Sequence, residues 1–170
     1  MSQKQQFATF FLGGDYFGVE VERVQEILRN QEMTPVPLSS PVVRGLINLR
    51  GQIVTAIDLR RRLGLGERAG GQPPMNVVVR SSGGGVSLLV DDIGDVVEAE
   101  EATFERPPET LDGDARKMIR GVHKLNGQLM HVLDTEEVLN GFSEGQGISQ
   151  VPSAGRRVAQ APNNGTEQNR

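Results

Sequence analysis

The chain has 170 residues, a formal net charge of −4, two histidines and no cysteine. That length allows one substantial core or two small ones sharing an interface, the missing cysteines exclude disulfides and thiolate metal sites, and the acidic balance argues against a nucleic-acid binder, which needs a basic surface. No apolar run approaches the roughly 20 residues of a membrane helix, and residues 1–6 are polar rather than a signal peptide, so a cytoplasmic protein without membrane insertion is expected.

From the N-terminus, residues 7–12 are predicted to form a strand, Gly13-Gly14-Asp15 a turn, and residues 16–21 a second, alternating strand, together a hairpin. Residues 21–28 place Val21, Val24, Ile27 and Leu28 at helical spacing and are taken as one or two helical turns, although so short a run also suits extended chain. The prolines of residues 33–41 exclude helix and central strand and leave a loop. Residues 45–59 are two apolar-rich runs joined through Arg50-Gly51, a second hairpin; Asp58 then caps a short helix with Leu59 and Leu63 on one face and Gly64 at its end. Residues 66–74 suit a flexible connector. Residues 75–80, 86–91 and 95–98 are predicted strands, with Gly83-Gly84-Gly85 at the first turn, and the acidic, proline-broken stretch 98–114 is expected to be a surface loop. A further hairpin turns at Asn126-Gly127, and Asp134 caps a short helix with Glu137 three residues on. Residues 143–170, poor in large apolar side chains, are expected to be a disordered tail.

The chain repeats itself. Arg44-Gly45, Leu49, Gly51-Gln52, Asp58 and Leu63 recur 76 positions on as Arg120-Gly121, Leu125, Gly127-Gln128, Asp134 and Leu139. A second register, 69 apart, lays Phe17, Val19, Val21, Glu22, Val24, Glu26 and Ile27 on Val86, Leu88, Val90, Asp91, Ile93, Asp95 and Val96. Two copies of one β-rich unit follow from this.

Tests for chemistry come back empty. His123 and His131 lie on the two arms of the last hairpin, within reach of each other across the strand pair if Asn126-Gly127 is the turn, but no third ligand is evident; ordinary exposed strand positions are the expectation. Gly64-x-Gly66-x-x-Ala69 follows a helix and runs into Pro73-Pro74, the wrong context for a dinucleotide loop. Asp112-x-Asp114 begins like a calcium loop, yet its twelfth position is His123 instead of a glutamate. Asn164-Gly165-Thr166 is a glycosylation acceptor only in a secreted chain. No carboxylates sit in a motif that would hold a pair around a substrate, and no enzyme, metal or cofactor is expected. Arg60-Arg61-Arg62 stands where the second copy has Glu136-Glu137-Val138 and is read first as cations favourable near a helix C-terminus, with an acidic partner as the alternative. Arg50 is the most informative residue. Its counterpart Asn126 tolerates positive φ and makes a strong turn signal with Gly127, whereas turn chemistry does not call for arginine. A long cation with five donors on a rigid hairpin tip suits partner recognition.

Tyr16-Phe17-Gly18-Val19-Glu20-Val21, Val24-Gln25-Glu26-Ile27, Thr34-Pro35-Val36-Pro37, Arg44-Gly45-Leu46-Ile47-Asn48-Leu49-Arg50-Gly51-Gln52-Ile53-Val54, Asp58-Leu59-Arg60 and Leu89-Val90-Asp91-x-Ile93-x-Asp95-Val96 together closely resemble the CheW family of bacterial chemotaxis coupling proteins, over residues 7–142. The resemblance implies a mainly β fold: two SH3-like five-stranded β-barrels around a shared core, with short helices. It also implies one CheW-like domain at 1–142, with barrel subdomains near 7–65 and 75–142, exchange of strands between them left open, and the tail beyond. By the same resemblance the function is that of an adaptor without enzymatic activity. It would couple the cytoplasmic tip of methyl-accepting chemoreceptors to the regulatory domain of the histidine kinase CheA, in the cytoplasm at the membrane-associated receptor array. The family's partner-binding positions fall on Val24, Glu26, Gly45, Arg50 and Val96. Two departures stand out: Thr55 where family members commonly have proline, and polar His123, Lys124 and His131 in the second hairpin. The alternatives are an adaptor of a related pathway, such as twitching motility, and a small-barrel RNA-binding protein, the latter disfavoured by the acidic charge and few aromatics.

Overall fold

The computed structural model describes residues 3–37, 39–67, 70–111 and 113–140; the tail from 143, the Asn164 triplet, Ala69 and Asp112 lie outside them. Eleven strands and three short helices follow in order: β1 (Lys4–Leu12), β2 (Asp15–Glu20), β3 (Val24–Leu28), β4 (Val43–Leu49), β5 (Gln52–Asp58), α1 (Leu59–Arg62), β6 (Met75–Ser81), β7 (Gly84–Val90), β8 (Asp92–Glu100), β9 (Phe104–Glu105), α2 (Gly113–Met118), β10 (Ile119–Leu125), β11 (Gln128–Leu133) and α3 (Thr135–Leu139). None of the described helices is long and apolar enough to cross a membrane.

Two elements differ from the sequence reading. The stretch taken as helical turns is a single 3-10 turn at Val21–Arg23 followed by the strand β3, because β6 offers it an antiparallel partner, Val24 opposite Val79 and Leu28 opposite Asn76. The expected loop after residue 98 contains the end of β8, the two-residue β9 and the helix α2.

The strands form two sheets, ordered β8-β1-β2-β11-β10-β9 and β3-β6-β7-β5-β4. The two registers found in the sequence map one sheet onto the other: β1 and β2 correspond to β6 and β7, β3 to β8, and the β4-β5-α1 unit to β10-β11-α3. Each copy thus gives its first hairpin to one sheet and its later strands to the other, so the halves 7–65 and 75–142 both contribute to both sheets. Parallel pairings of β5 with β7 and of β11 with β2 join the copies. Even the irregularities repeat, with register shifts between Val43 and Gly45 and between Ile119 and Gly121. What corresponds to β9 in the five-stranded sheet shrinks to one bridge, Thr34 to Leu46.

Strands such as β6 and β7 are apolar on both faces because both are covered. One face joins a core shared by the sheets, including Phe10, Phe17 and Val19 from one and Ile57, Val77 and Leu88 from the other, closed by Leu59, Leu63, Val138 and Leu139 of the short helices and the residues just after them. Alternate residues fill the barrels themselves: Phe7, Ala99, Met130 and Val132 in one, Ile47, Ala56 and Leu89 in the other. Each fully buried aliphatic or phenyl side chain contributes about 1.5–3 kcal/mol, which is what holds so many short elements in one body.

The caps follow the sequence. Asp58 accepts from the Arg61 amide at 3.4 Å and Asp134 from the Glu137 amide at 3.2 Å. The arginine triplet proves to be a fastening. Arg60 grips Asp91, which also accepts from the Gly13 amide at 2.7 Å; the bond to Asp91 raises the Arg60 pKa against the opposing effect of burial. Arg61 donates to the Pro41 carbonyl, and Arg62 donates to the Val138 carbonyl at 2.8 Å and those of Glu137 and Asn140, closing the C-terminus of α3.

Candidate functional site

The turn of β4 and β5 is built on two residues at positive φ, Arg50 at 53° and Gly51 at 88°; the other copy has Asn126 at 47° and Gly127 at 79°. Two successive left-handed residues make a turn whose twist matches the strands, and asparagine or glycine enters it at little cost. Arginine does not. Its Cβ crowds the backbone there, so Arg50 holds a conformation its own chemistry opposes. Asn48 steadies the turn by accepting from the Gly51 amide at 2.9 Å.

From this tip the guanidinium reaches back to β3, where Nη2 lies 2.5 Å from Glu26 Oε1. The Arg50 side chain remains 81% exposed while that of Glu26 is 17% exposed, so the carboxylate is a seated anchor and the cation is presented to solvent. An exposed pair of this kind adds only about 0–1 kcal/mol to folding. Its second effect is orientation: a long flexible side chain is held in one place. At the corresponding positions of the other copy, Asp95 and Asn126, no such pair forms. Two apolar side chains are also exposed in this half, Ile27 at 38%, next to Glu26 in β3 but on the strand's opposite face, and Ile53 on β5 at 59%. An exposed cation fixed by a seated carboxylate on rigid strands is suited to a protein partner.

Of the five residues singled out from the sequence, Glu26 and Arg50, 24 positions apart, are brought into contact. Val24 lies two residues before Glu26 on β3, half-buried against the shared core. Gly45 is buried. A Cβ there would stand 2.7 Å from the Thr34 carbonyl oxygen, and Thr34 exchanges backbone hydrogen bonds with Leu46 at 2.8 and 2.9 Å. Gly121 answers the same need, since its Cβ would collide with Phe104 and the Glu105 carbonyl. Val96 stands apart on β8 of the other sheet, 59% exposed. The registers pair Val96 with Ile27 and Leu129 with Ile53, and all four are exposed, so the two copies expose apolar side chains at matching positions. Sequence reasoning missed Ile27 and Ile53, although their recurrence at Val96 and Leu129 was a signal for them.

The histidines also differ from expectation. His123 is buried at 3% exposure, between the rings of Phe7 and Phe104 at centroid distances of 5.4 and 5.2 Å. His131 lies beside Phe17, with Nδ1 3.0 Å from the Tyr16 carbonyl. Met130 faces His123 and Val122 faces His131 in the ladder, so the two imidazoles point to opposite faces and do not form a pair. Among the described residues no group of three His, Cys, Asp or Glu side chains is placed to hold a metal ion.

The family model for the CheW-like domain matches residues 6–142. The chain is 29% identical to the chemotaxis protein CheW of Bacillus subtilis (strain 168) over 136 residues, covering 80% of this chain and 87% of that one. It is 34% identical to the protein FrzA of Myxococcus xanthus over 113 residues, 66% of this chain and 69% of that one. Its fold matches the crystal structure of the scaffolding protein TtCheW from Thermoanaerobacter tengcongensis with a TM-score of 0.70 at 26% identity, covering 78% and 90% of the two chains.

Proposed function

The chain belongs to the CheW-like family, and from that premise we propose that it is a chemotaxis adaptor without enzymatic activity, joining the cytoplasmic tip of methyl-accepting chemoreceptors to the regulatory domain of the histidine kinase CheA. It works in the cytoplasm and is held at the receptor array by these partners. The observation that carries the reading is the Arg50–Glu26 pair, an exposed cation fixed by a seated carboxylate at the cost of a left-handed arginine. Folding gains little from such a pair, and partner recognition gives it a purpose. Val24 and Gly45 act from beneath, one wedging β3 against the core and the other letting Thr34 close over β4. Val96, on the other sheet, belongs to a separate contact, which lets one rigid body hold two partners at once.

The test is titration of the full chain with a CheA-type regulatory domain and with a receptor signalling tip, as wild type, Arg50→Ala and Val96→Asp. Wild type should bind both, and each variant should weaken binding to at least one while keeping a native melting profile. Wild-type binding to neither partner overturns the proposal. The likeness to FrzA supports a second reading of the same class, an adaptor serving a related pathway; in that case binding appears only with that pathway's own receptor and kinase.

A further inference from the structure

The position of His123 is not dictated by the fold. Its counterpart 76 residues earlier is Ile47, 1% exposed and packed with Ala56 and Leu89 in an aliphatic barrel interior. The same slot in the second barrel holds an imidazole, equally buried.

The hydrogen-bond distances around that imidazole point to one tautomer. The Thr103 hydroxyl has one proton and donates it to the Glu100 carbonyl at 2.8 Å. Toward His123 Nδ1, 2.9 Å away, Thr103 Oγ1 can therefore only accept, so Nδ1 carries the hydrogen. Nε2 is then a bare lone pair, and among the described residues it has no partner. Burial lowers the His123 pKa, which keeps the ring neutral and Nε2 an acceptor at neutral pH. A buried acceptor left without a donor is unfavourable, and native structures normally supply one.

A cavity of about 130 Å³ lies at this place, with His123, Phe7, Ala99 and Val132 as its buried lining and Phe104 beside them. Its polar lining includes Glu101 and the Glu20–Arg120 ion pair, 2.7 Å apart. The volume is enough for a single aromatic ring, in a cavity that is partly open and bordered by polar side chains on its outer side. Two carboxylates disfavour an anion, and a buried acceptor flanked by apolar side chains on one side of a mixed lining suits a ring that brings its own hydrogen.

We propose that this cavity binds a small aromatic molecule bearing a single O–H or N–H donor, its ring against Phe7, Ala99 and Val132 and its donor on His123 Nε2. The site is independent of the Arg50 surface, which lies on the other sheet. The entrance borders on β9, which pairs with β10 at only Val122 and His123. A strand so short can yield to admit a ligand.

The experiment is NMR titration of the full chain with phenol, and with toluene as a ring lacking the donor. Phenol should shift the Ala99 and Val132 methyl signals and the His123 Nε2 resonance saturably, with toluene at least tenfold weaker. His123→Ile, which copies the other barrel, should erase the difference between the two probes. Ala99→Leu, which fills the cavity from its wall, should abolish phenol binding with His123 still present, and it decides the matter if the histidine variant does not fold. Absence of saturable phenol binding, equal affinity for the two probes, or phenol binding that survives Ala99→Leu overturns the proposal.

Discussion

Replacing Arg50 by asparagine separates folding from recognition in a single step, because asparagine is what the same turn carries in the other copy. Asn126 sits at φ 47° and Arg50 at 53°, so the variant keeps the turn and removes the side chain's opposition to it. Putting asparagine, which tolerates the left-handed region, in place of a residue that opposes it returns about 1 kcal/mol. The lost ion pair to Glu26 subtracts about 0–1 kcal/mol, toward the lower end because the Arg50 side chain is 81% exposed. The net expectation is a gain of roughly 0.5 kcal/mol, a rise in Tm of about 1–2 °C for a domain of this size. Binding should move the other way, by about 1–3 kcal/mol, or roughly 5- to 150-fold in Kd, as for the loss of an anchoring arginine. Urea unfolding and titration against the kinase domain and the receptor tip measure both quantities on one preparation. An Arg50→Asn protein that unfolds earlier and binds both partners as before would make Arg50 a part of the scaffold and sink the argument.

Other substitutions probe the frame beneath. Gly45→Ala puts a methyl group 2.7 Å from a carbonyl that cannot retreat without breaking the Thr34–Leu46 bridge, and should cost about 1–3 kcal/mol in urea unfolding; an unchanged midpoint would contradict the tight crossing. Asp91→Ala strands the mostly buried Arg60, whose side chain is 14% exposed, and should cost about 3 kcal/mol, while the double variant with Arg60→Ala should cost less than the two single losses combined; strict additivity would count against the pair. His123 is held neutral by burial, with Glu20, Arg120 and Glu101 as the charged groups lining its cavity. Its folded pKa lies below the unfolded one, so the unfolded chain takes up the proton first. Its contribution is complete above about pH 6.5 and is lost as pH falls from there through the folded value. His123→Ile should flatten that acid limb of the stability profile, and an unaltered limb would assign it to other groups.

What the sequence showed about the fold came from local chemistry. Asp58 and Asp134 announced their helices, glycines marked the turns, and the registers of 76 and 69 residues located the corresponding strands. What it hid came from pairing over distance. Residues 24–28 satisfy the helical and the extended period equally, and only β6 as a neighbour makes them β3. Burial of His123 was hidden for a related reason: β10 is covered on both faces, so Val122 and His123 are both buried and alternation gives no warning. At the candidate site, Arg50 stood out because its turn did not ask for it, while its seat on Glu26, in a different strand, was visible only once β3 and the β4–β5 turn were placed together. Gly45 was singled out through the family resemblance, and its crowding by Thr34 needed the bridge to be seen.

A chain that folds one unit twice carries its own control. Where the copies agree, the fold explains the residue: Gly45 and Gly121 lie under the same crossing, and Asp58 and Asp134 cap the same helix. Where they differ at an equivalent backbone position, the fold has been satisfied by two chemistries, and the costlier one needs another reason. Arg50 against Asn126 is such a difference, since the arginine is conformationally opposed and exposed. His123 against Ile47 is another, since an imidazole with an open lone pair takes a place where an alkyl group suffices. The arginine triplet is the instructive exception. Arg60 and Arg62 differ in charge type from Glu136 and Val138, yet they are spent on Asp91 and on the end of α3, and asymmetry there reflects how unlike ends were joined. The criterion that separates the cases is whether the odd residue finds its partner among the described residues: Arg60 and Arg62 do, Arg50 does with one carboxylate while keeping most of its surface to solvent, and His123 Nε2 does not.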